Sequence, residues 1–111
     1  MSLEFTYTPF ALEDIDFQSL WYGKTAGAEI ARKYAAEVER TVLFLAMHPN
    51  LGRQCGFLEP EFAHLRVYLL GRPFDRHLVY YRIAGDGLIV FRVMHGARNL
   101  PARLLDPPGA E

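Results

Sequence analysis

Gly87-Leu88-Ile89-Val90-Phe91-Arg92-Val93-Met94-His95-Gly96-Ala97-Arg98-Asn99 is the stretch on which the reading of this chain turns. Leu88 to Met94 is almost continuously apolar and rich in β-branched and aromatic residues. It is too short for a typical helix and opens after Gly85-Asp86-Gly87, so it reads as a central strand buried in a sheet. One charge, Arg92, interrupts it. The run stops at the polar step His95-Gly96-Ala97-Arg98. Two further strands and two helices upstream complete the arrangement.

The upstream periodicities supply those elements. Leu3 to Tyr7 alternates apolar and polar residues, as an edge strand does. Thr8-Pro9 reads as an N-cap followed by proline at the first helical position. Glu13, Asp14 and Asp16 follow near that positive helix end. Leu12, Ile15, Ser19 and Tyr22 share one helical face, with Phe17, Leu20 and Trp21 widening the apolar coverage, and Gly23 is a natural stop. Ile30, Tyr34, Val38, Val42 and Leu45 form the apolar stripe of a second helix over Thr25 to Met47, which ends before His48-Pro49. Asn50 to Glu61 reads as a loop. Three strands follow, His64 to Leu70, Arg76 to Ile83 and Leu88 to Met94, separated by Gly71-Arg72-Pro73 and Gly85-Asp86-Gly87. The fold class is therefore α+β, a two-helix hairpin on a small antiparallel sheet in the order β-α-α-β-β-β. Residues 1–100 form one domain, and residues 101–111 are a Pro-rich tail expected to be extended or frayed.

The chain has 111 residues, half of them apolar, which suits one folded domain. No apolar run is long enough for a transmembrane helix and no signal peptide is visible. A single cysteine, Cys55, has no internal disulfide partner, which fits a reducing cytoplasmic setting. The net charge of −1 hides an asymmetry. Residues 1–52 carry four Lys or Arg against seven Asp or Glu, and residues 53–111 carry eight Arg, no Lys and six acids. The all-Arg usage suits planar recognition of carboxylate, phosphate or aromatic groups. The positive charge is too small for a strong nucleic-acid footprint.

A three-residue hairpin loop, Gly85-Asp86-Gly87 with Gly87 left-handed, pairs Tyr80 with Arg92, Tyr81 with Phe91 and Ile83 with Ile89. Val79, Tyr81, Ile89, Phe91 and Val93 then face the helices, joined by Leu65, Val67 and Leu69. Arg66, Tyr68, Tyr80, Arg82 and Arg92 gather on the open face. Such a cluster can grip oxyanions and stack on flat groups. It equally fits a wetted sheet face on which arginine stems cover Leu78, Val90 and Met94. His95 is the best proton-transfer candidate, although a strand-end histidine also suits a structural hydrogen bond. His48, His64 and His77 lack metal-ligand spacing, so no metal site is expected. No phosphate-loop pattern is present, so no cofactor is expected.

Leu45-Ala46-Met47-His48-Pro49-Asn50-Leu51-Gly52-Arg53, then Leu65-Arg66, then Pro73-Phe74 with His77-Leu78-Val79-Tyr80-Tyr81-Arg82, and finally Ile89 to Asn99, occur in a telling order. In that succession the chain resembles the RelE/ParE toxins of type II toxin–antitoxin modules, and within them the ParE-like branch, which includes plasmid stabilisation proteins. The resemblance implies the fold derived above, a cytoplasmic toxin and a cognate antitoxin. It also implies a target. RelE-like members cleave mRNA on the ribosome, whereas ParE-like members resemble inhibitors that trap DNA gyrase and are not themselves enzymes.

The absence of Lys after Lys33 and of Tyr after Tyr81, and the His95-Gly96-Ala97-Arg98-Asn99 ending, point to the gyrase branch. The ribonuclease alternative would use Arg66, Arg82 and His95 as catalytic residues. A non-toxic, repurposed binding module is the third reading. The expected antitoxin- or target-binding residues are Arg66, Tyr80, Arg82, Arg92 and Arg98, with His95 and Asn99 orienting the strand end. On that assignment, Arg92→Ala leaves folding largely intact.

Overall fold

The computed structural model describes residues 2–96 and 102–108. Its elements are β1 (Glu4–Tyr7), α1 (Pro9–Thr25), α2 (Ala28–Met47), β2 (Arg53–Gln54), β3 (Arg66–Leu69), β4 (His77–Ala84) and β5 (Gly87–His95). Single 3-10 turns occupy Pro60–Phe62 and Ala102–Leu105. The sheet order is β1-β5-β4-β3-β2, with β1 parallel to β5 and the remaining pairs antiparallel. The expected α+β order is therefore present, with the two-residue β2 added inside the segment expected to be a loop.

Helix α1 begins as its sequence dictates. Thr8 has extended backbone, and its Oγ1 accepts from the Ala11 amide at 3.1 Å. The same hydroxyl donates to the Phe91 carbonyl at 2.7 Å, so one side chain caps the helix and ties it to β5. The stripe on α2 packs as its spacing predicts, with Tyr34, Val38, Val42 and Leu45 buried. They meet Val79, Tyr81, Leu88, Val90 and Val93 on one face of the sheet.

The β4–β5 hairpin departs from the expected register. Ala84 pairs with Gly87, so the turn has two residues, Gly85-Asp86, and the left-handed glycine is Gly85 at φ 61°. A two-residue turn alone would exchange the faces of β5 along its whole length. The chain corrects this with a β-bulge, because Tyr80 pairs with Arg92 while Tyr81 pairs with Val90, leaving Phe91 as the extra residue. Leu88 and Val90 therefore replace Ile89 and Phe91 on the helix side, whereas Val93 keeps its expected side. On β3 the expected faces are reversed. Arg66 lies opposite Tyr81 and Val67 opposite Tyr80, so Tyr68 packs on the helix-side core, and Leu69 is exposed.

The second sheet face is not open. Phe62, Leu65, Val67, Tyr80, Met94 and Leu104 form a second buried cluster there. Leu104 belongs to the tail expected to be extended or frayed, and it is fully buried within a 3-10 turn. The apolar face of the sheet needs a cover, and this short tail segment and the 55–65 loop supply it.

The loop leaving α2 is held by Tyr81. Its hydroxyl donates to the Pro49 carbonyl at 2.7 Å and accepts from the buried Gly52 amide at 2.8 Å. Tyr81→Phe removes both bonds and orphans that amide. The expected loss is about 1–3 kcal/mol of unfolding free energy, read by chemical denaturation.

Candidate functional site

Arg92 lies at the centre of β5 with 1% of its surface exposed. An unpaired guanidinium cannot be held there, so its donors must find partners. Its Nε donates to Asp14 Oδ2 at 2.8 Å and its Nη2 to Asp14 Oδ1 at 2.8 Å, a two-pronged pair. Its Nη1 donates to the carbonyls of Leu104 at 2.9 Å and Asp106 at 2.7 Å. Asp14 Oδ2 also accepts from the Val93 amide at 3.0 Å. β1 pairs with β5 only as far as Val90. Beyond that point the carboxylate takes the place of a neighbouring strand. The Phe10 ring completes the surround, 5.0 Å from the guanidinium carbon.

Around this pair, α1, the end of β5 and the tail enclose a groove of about 660 Å³. Phe17, Gln18, Trp21 and Tyr22 form the α1 wall, Met94 and His95 the strand wall, and Arg103, Asp106 and Pro107 the tail wall. Phe17 and Trp21 are about half exposed. Because Asp14 is neutralised by Arg92, the groove presents an aromatic wall beside Arg103, Asp106 and the imidazole of His95. Such a lining suits an apolar or aromatic anchor with a polar rim.

The histidines form an edge-to-face cross-strand pair. His77 lies opposite His95, with ring centroids 4.8 Å apart. His77 is buried, and its Nε2 is 2.9 Å from the Tyr22 hydroxyl. Desolvation, assisted by the neighbouring His95, pushes the His77 imidazole down to about 4. His77 is thus a neutral core residue. His95 is the exposed member of the pair.

The residues expected to act together are brought together only in part: Tyr80 pairs with Arg92 and shares a face with Arg82, whereas Arg66 and Tyr68 lie on the other face. Arg92 and Tyr80 are buried, each at 2% exposure or less, so neither lies on an open face. Arg66 shares the helix-side face with Tyr81, and Arg82 lies on the opposite face with Tyr80. Arg66 Nη1 donates to the Asn50 and Gly52 carbonyls at 3.1 and 2.7 Å, clamping the loop after α2. His95 is two strands across and four residues along from Arg66, roughly 16 Å away. Arg82 is half-buried. Arg98 and Asn99 lie outside the described residues. In the sequence Asp14 reads only as a partner of the helix dipole, and Arg103 carries no visible role. A lone arginine in an apolar strand was the signal that a carboxylate must be buried beside it.

Among the described residues, no group of three or more His, Cys, Asp or Glu is placed to hold a metal ion. No helix among them is long and apolar enough to cross a membrane.

Two outcomes follow from this geometry. Arg92→Ala leaves the Asp14 carboxylate buried without its counter-ion, so stability falls by about 3–5 kcal/mol in denaturant titration. That reverses the expectation of intact folding. Separately, folded His77 takes up a proton only near pH 4, whereas an unperturbed histidine does so near 6.5. The unfolded chain binds the extra proton between those values. Stability is therefore complete above pH 6.5 and falls as pH drops toward 4. Thermal melts across that window should show the fall, and His77→Phe should flatten it.

Comparison with known proteins places this geometry among relatives. Residues 5–100 match the family described as the ParE toxin of the type II toxin–antitoxin system parDE. The chain is 31% identical over 91 residues to toxin ParE1 of Caulobacter vibrioides, covering 80% of this chain and 86% of that one. Its fold resembles a chain from the chromosomal ParDE system of P. aeruginosa, with a TM-score of 0.70 at 21% identity. That match covers 86% of this chain and 98% of the other.

Proposed function

Because the chain belongs to the ParE toxin family of type II toxin–antitoxin systems, we propose that it poisons DNA gyrase by protein contact and is neutralised by a cognate antitoxin in the cytoplasm. One observation carries the choice of a non-enzymatic mechanism. The sheet face on which a ribonuclease would gather its cations is filled by Phe62, Leu65 and Leu104, and Arg92 is engaged by Asp14 and two carbonyls. Phosphate stabilisation during attack by a ribose hydroxyl needs free cations aimed at one point. Arg66 and Arg82 point to opposite faces and His95 stands apart from both.

The groove between α1, β5 and the tail is the surface we assign to the antitoxin. Its half-exposed Phe17 and Trp21 provide the aromatic anchor points that dominate protein interfaces. An amphipathic antitoxin segment would lay its apolar side on them and its polar side against Arg103 and His95. The tail wall lies beyond the matched span of residues 5–100, so it is a feature through which this toxin can distinguish its own antitoxin from those of relatives.

The test is a gyrase supercoiling and cleavage assay beside a translation-coupled mRNA cleavage assay. Trapped cleaved DNA with intact mRNA is the expected outcome, and His95→Ala should poison gyrase as well as the unaltered chain does. Cut mRNA with normal supercoiling overturns the reading. Trp21→Glu should weaken antitoxin binding by about tenfold or more while the protein stays folded, as read by calorimetry and circular dichroism.

A further inference from the structure

Helix α1 carries a second exposed surface, beside the groove. Glu13, Phe17, Leu20 and Lys24 are all exposed, Leu20 at 66%. Their spacing of four, three and four residues is that of a coiled-coil seam. At 100° per residue they fall within an arc of about 60°. The groove-lining Asp14, Gln18 and Tyr22 lie further round the helix, and the two surfaces share only Phe17. The core needs none of the four, because α1 is held by Ala11, Asp14, Ile15 and Tyr22.

The seam is its own complement when reversed. Two copies can pack antiparallel about a two-fold axis passing midway between Gln18 and Ser19. Phe17 then meets Leu20 of the partner subunit, and Leu20 meets Phe17 of the partner subunit. At the outer ends Glu13 meets Lys24 of the partner subunit, and Lys24 meets Glu13 of the partner subunit. Both ion pairs have opposite charges. A parallel arrangement would set glutamate on glutamate and lysine on lysine. An isologous contact of this kind closes after two copies and leaves no open end.

We propose that this stripe is a self-association surface through which two copies of the chain form an antiparallel α1–α1 dimer. A single helix seam is small beside the roughly 1,000 Å² of a stable interface, so the dimer is weak, with a dissociation constant of about 10–100 μM. The dimer covers Phe17, which the groove shares, and its existence does not depend on the toxin's target.

Sedimentation equilibrium on the full chain at low salt tests it. The unaltered chain should associate with concentration. Leu20→Asp should be monomeric throughout, because it sets a carboxylate against an aromatic ring. Its circular dichroism and melting should be unchanged, since Leu20 is outside the core. Glu13→Lys and Lys24→Glu should each weaken association by about fivefold to tenfold. The double variant Glu13→Lys/Lys24→Glu should return to within about threefold of the original, since the same two pairs re-form with reversed sign.

A chain that stays monomeric to about 200 μM, or a dimer that survives Leu20→Asp, overturns the proposal. So does failure of the double variant to recover, which would refute the antiparallel register. A monomer whose Leu20→Asp variant instead loses antitoxin binding also overturns it and assigns the stripe to that partner.

Discussion

The buried pair between Arg92 and Asp14 joins parts of this molecule that are distant in sequence. Asp14 is on the first helix, Arg92 is on the last strand, and the two carbonyls that complete the guanidinium's shell belong to the C-terminal tail. A guanidinium with 1% exposure cannot remain without its acceptors, so strand, helix and tail are placed together or not at all. Such a pair adds little net stability relative to well-packed apolar residues, but breaking it is costly. Its effect is to select one arrangement. The same carboxylate receives the Val93 amide where β1 ends, so the free edge of β5 is closed by a side chain.

The bulge in β5 has a comparable reach. The two-residue turn sets the register one way, and the extra residue at Phe91 resets it halfway along the strand. The segment near the turn directs Leu88 and Val90 to the helices, and the segment beyond the bulge directs Val93 there too. Arg92 thereby keeps its expected place opposite Tyr80, where Asp14 and the tail carbonyls cover it. Bulges re-aim side chains while the ladder continues on both sides. The face that the residue pattern suggests is cationic becomes a second apolar core because Val67 of β3 turns onto it and Phe62 and Leu104 cover it.

The large exposed apolar side chains of α1 thereby lie on the helical side rather than on the sheet face. Helix α1 spends few of its large apolar residues on the core; Phe17, Leu20 and Trp21 remain between about half and two-thirds exposed. Exposed apolar surface of this kind marks interaction sites more often than catalytic ones. The groove at the Arg92–Asp14 pair and the stripe beside it are two such surfaces on one helix. The contact mechanism proposed above would have use for both. The fold it shares with the ParDE chain at a TM-score of 0.70 accounts for the scaffold, and the tail wall is built from residues past the family-matched span.

The element order was legible in the residues because periodicity and capping are local. The Thr8-Pro9 start, the α2 stripe and the strand run from Leu88 to Met94 each declare themselves within a few turns of chain, and the structure places them accordingly. The order of motifs likewise pointed to the toxin family. The faces were legible only in part: Val79, Tyr81 and Val93 lie on the helix side as expected, whereas the turn-side half of β5 and the faces of β3 are reversed. Whether Gly85-Asp86-Gly87 turns in two residues or three, and whether a bulge follows, depends on which side chains fill the space behind the sheet, and that is a property of the whole packed chain. The residue pattern sets Arg92 on an open face, and its burial was not legible there. That Asp14 would meet it, 78 positions away, was decided by the packing of α1 across the strand end. Local sequence determined the elements because their hydrogen bonds and apolar spacing are short-range, and tertiary structure alone decided the site because desolvation and charge pairing act between residues that only folding brings into contact.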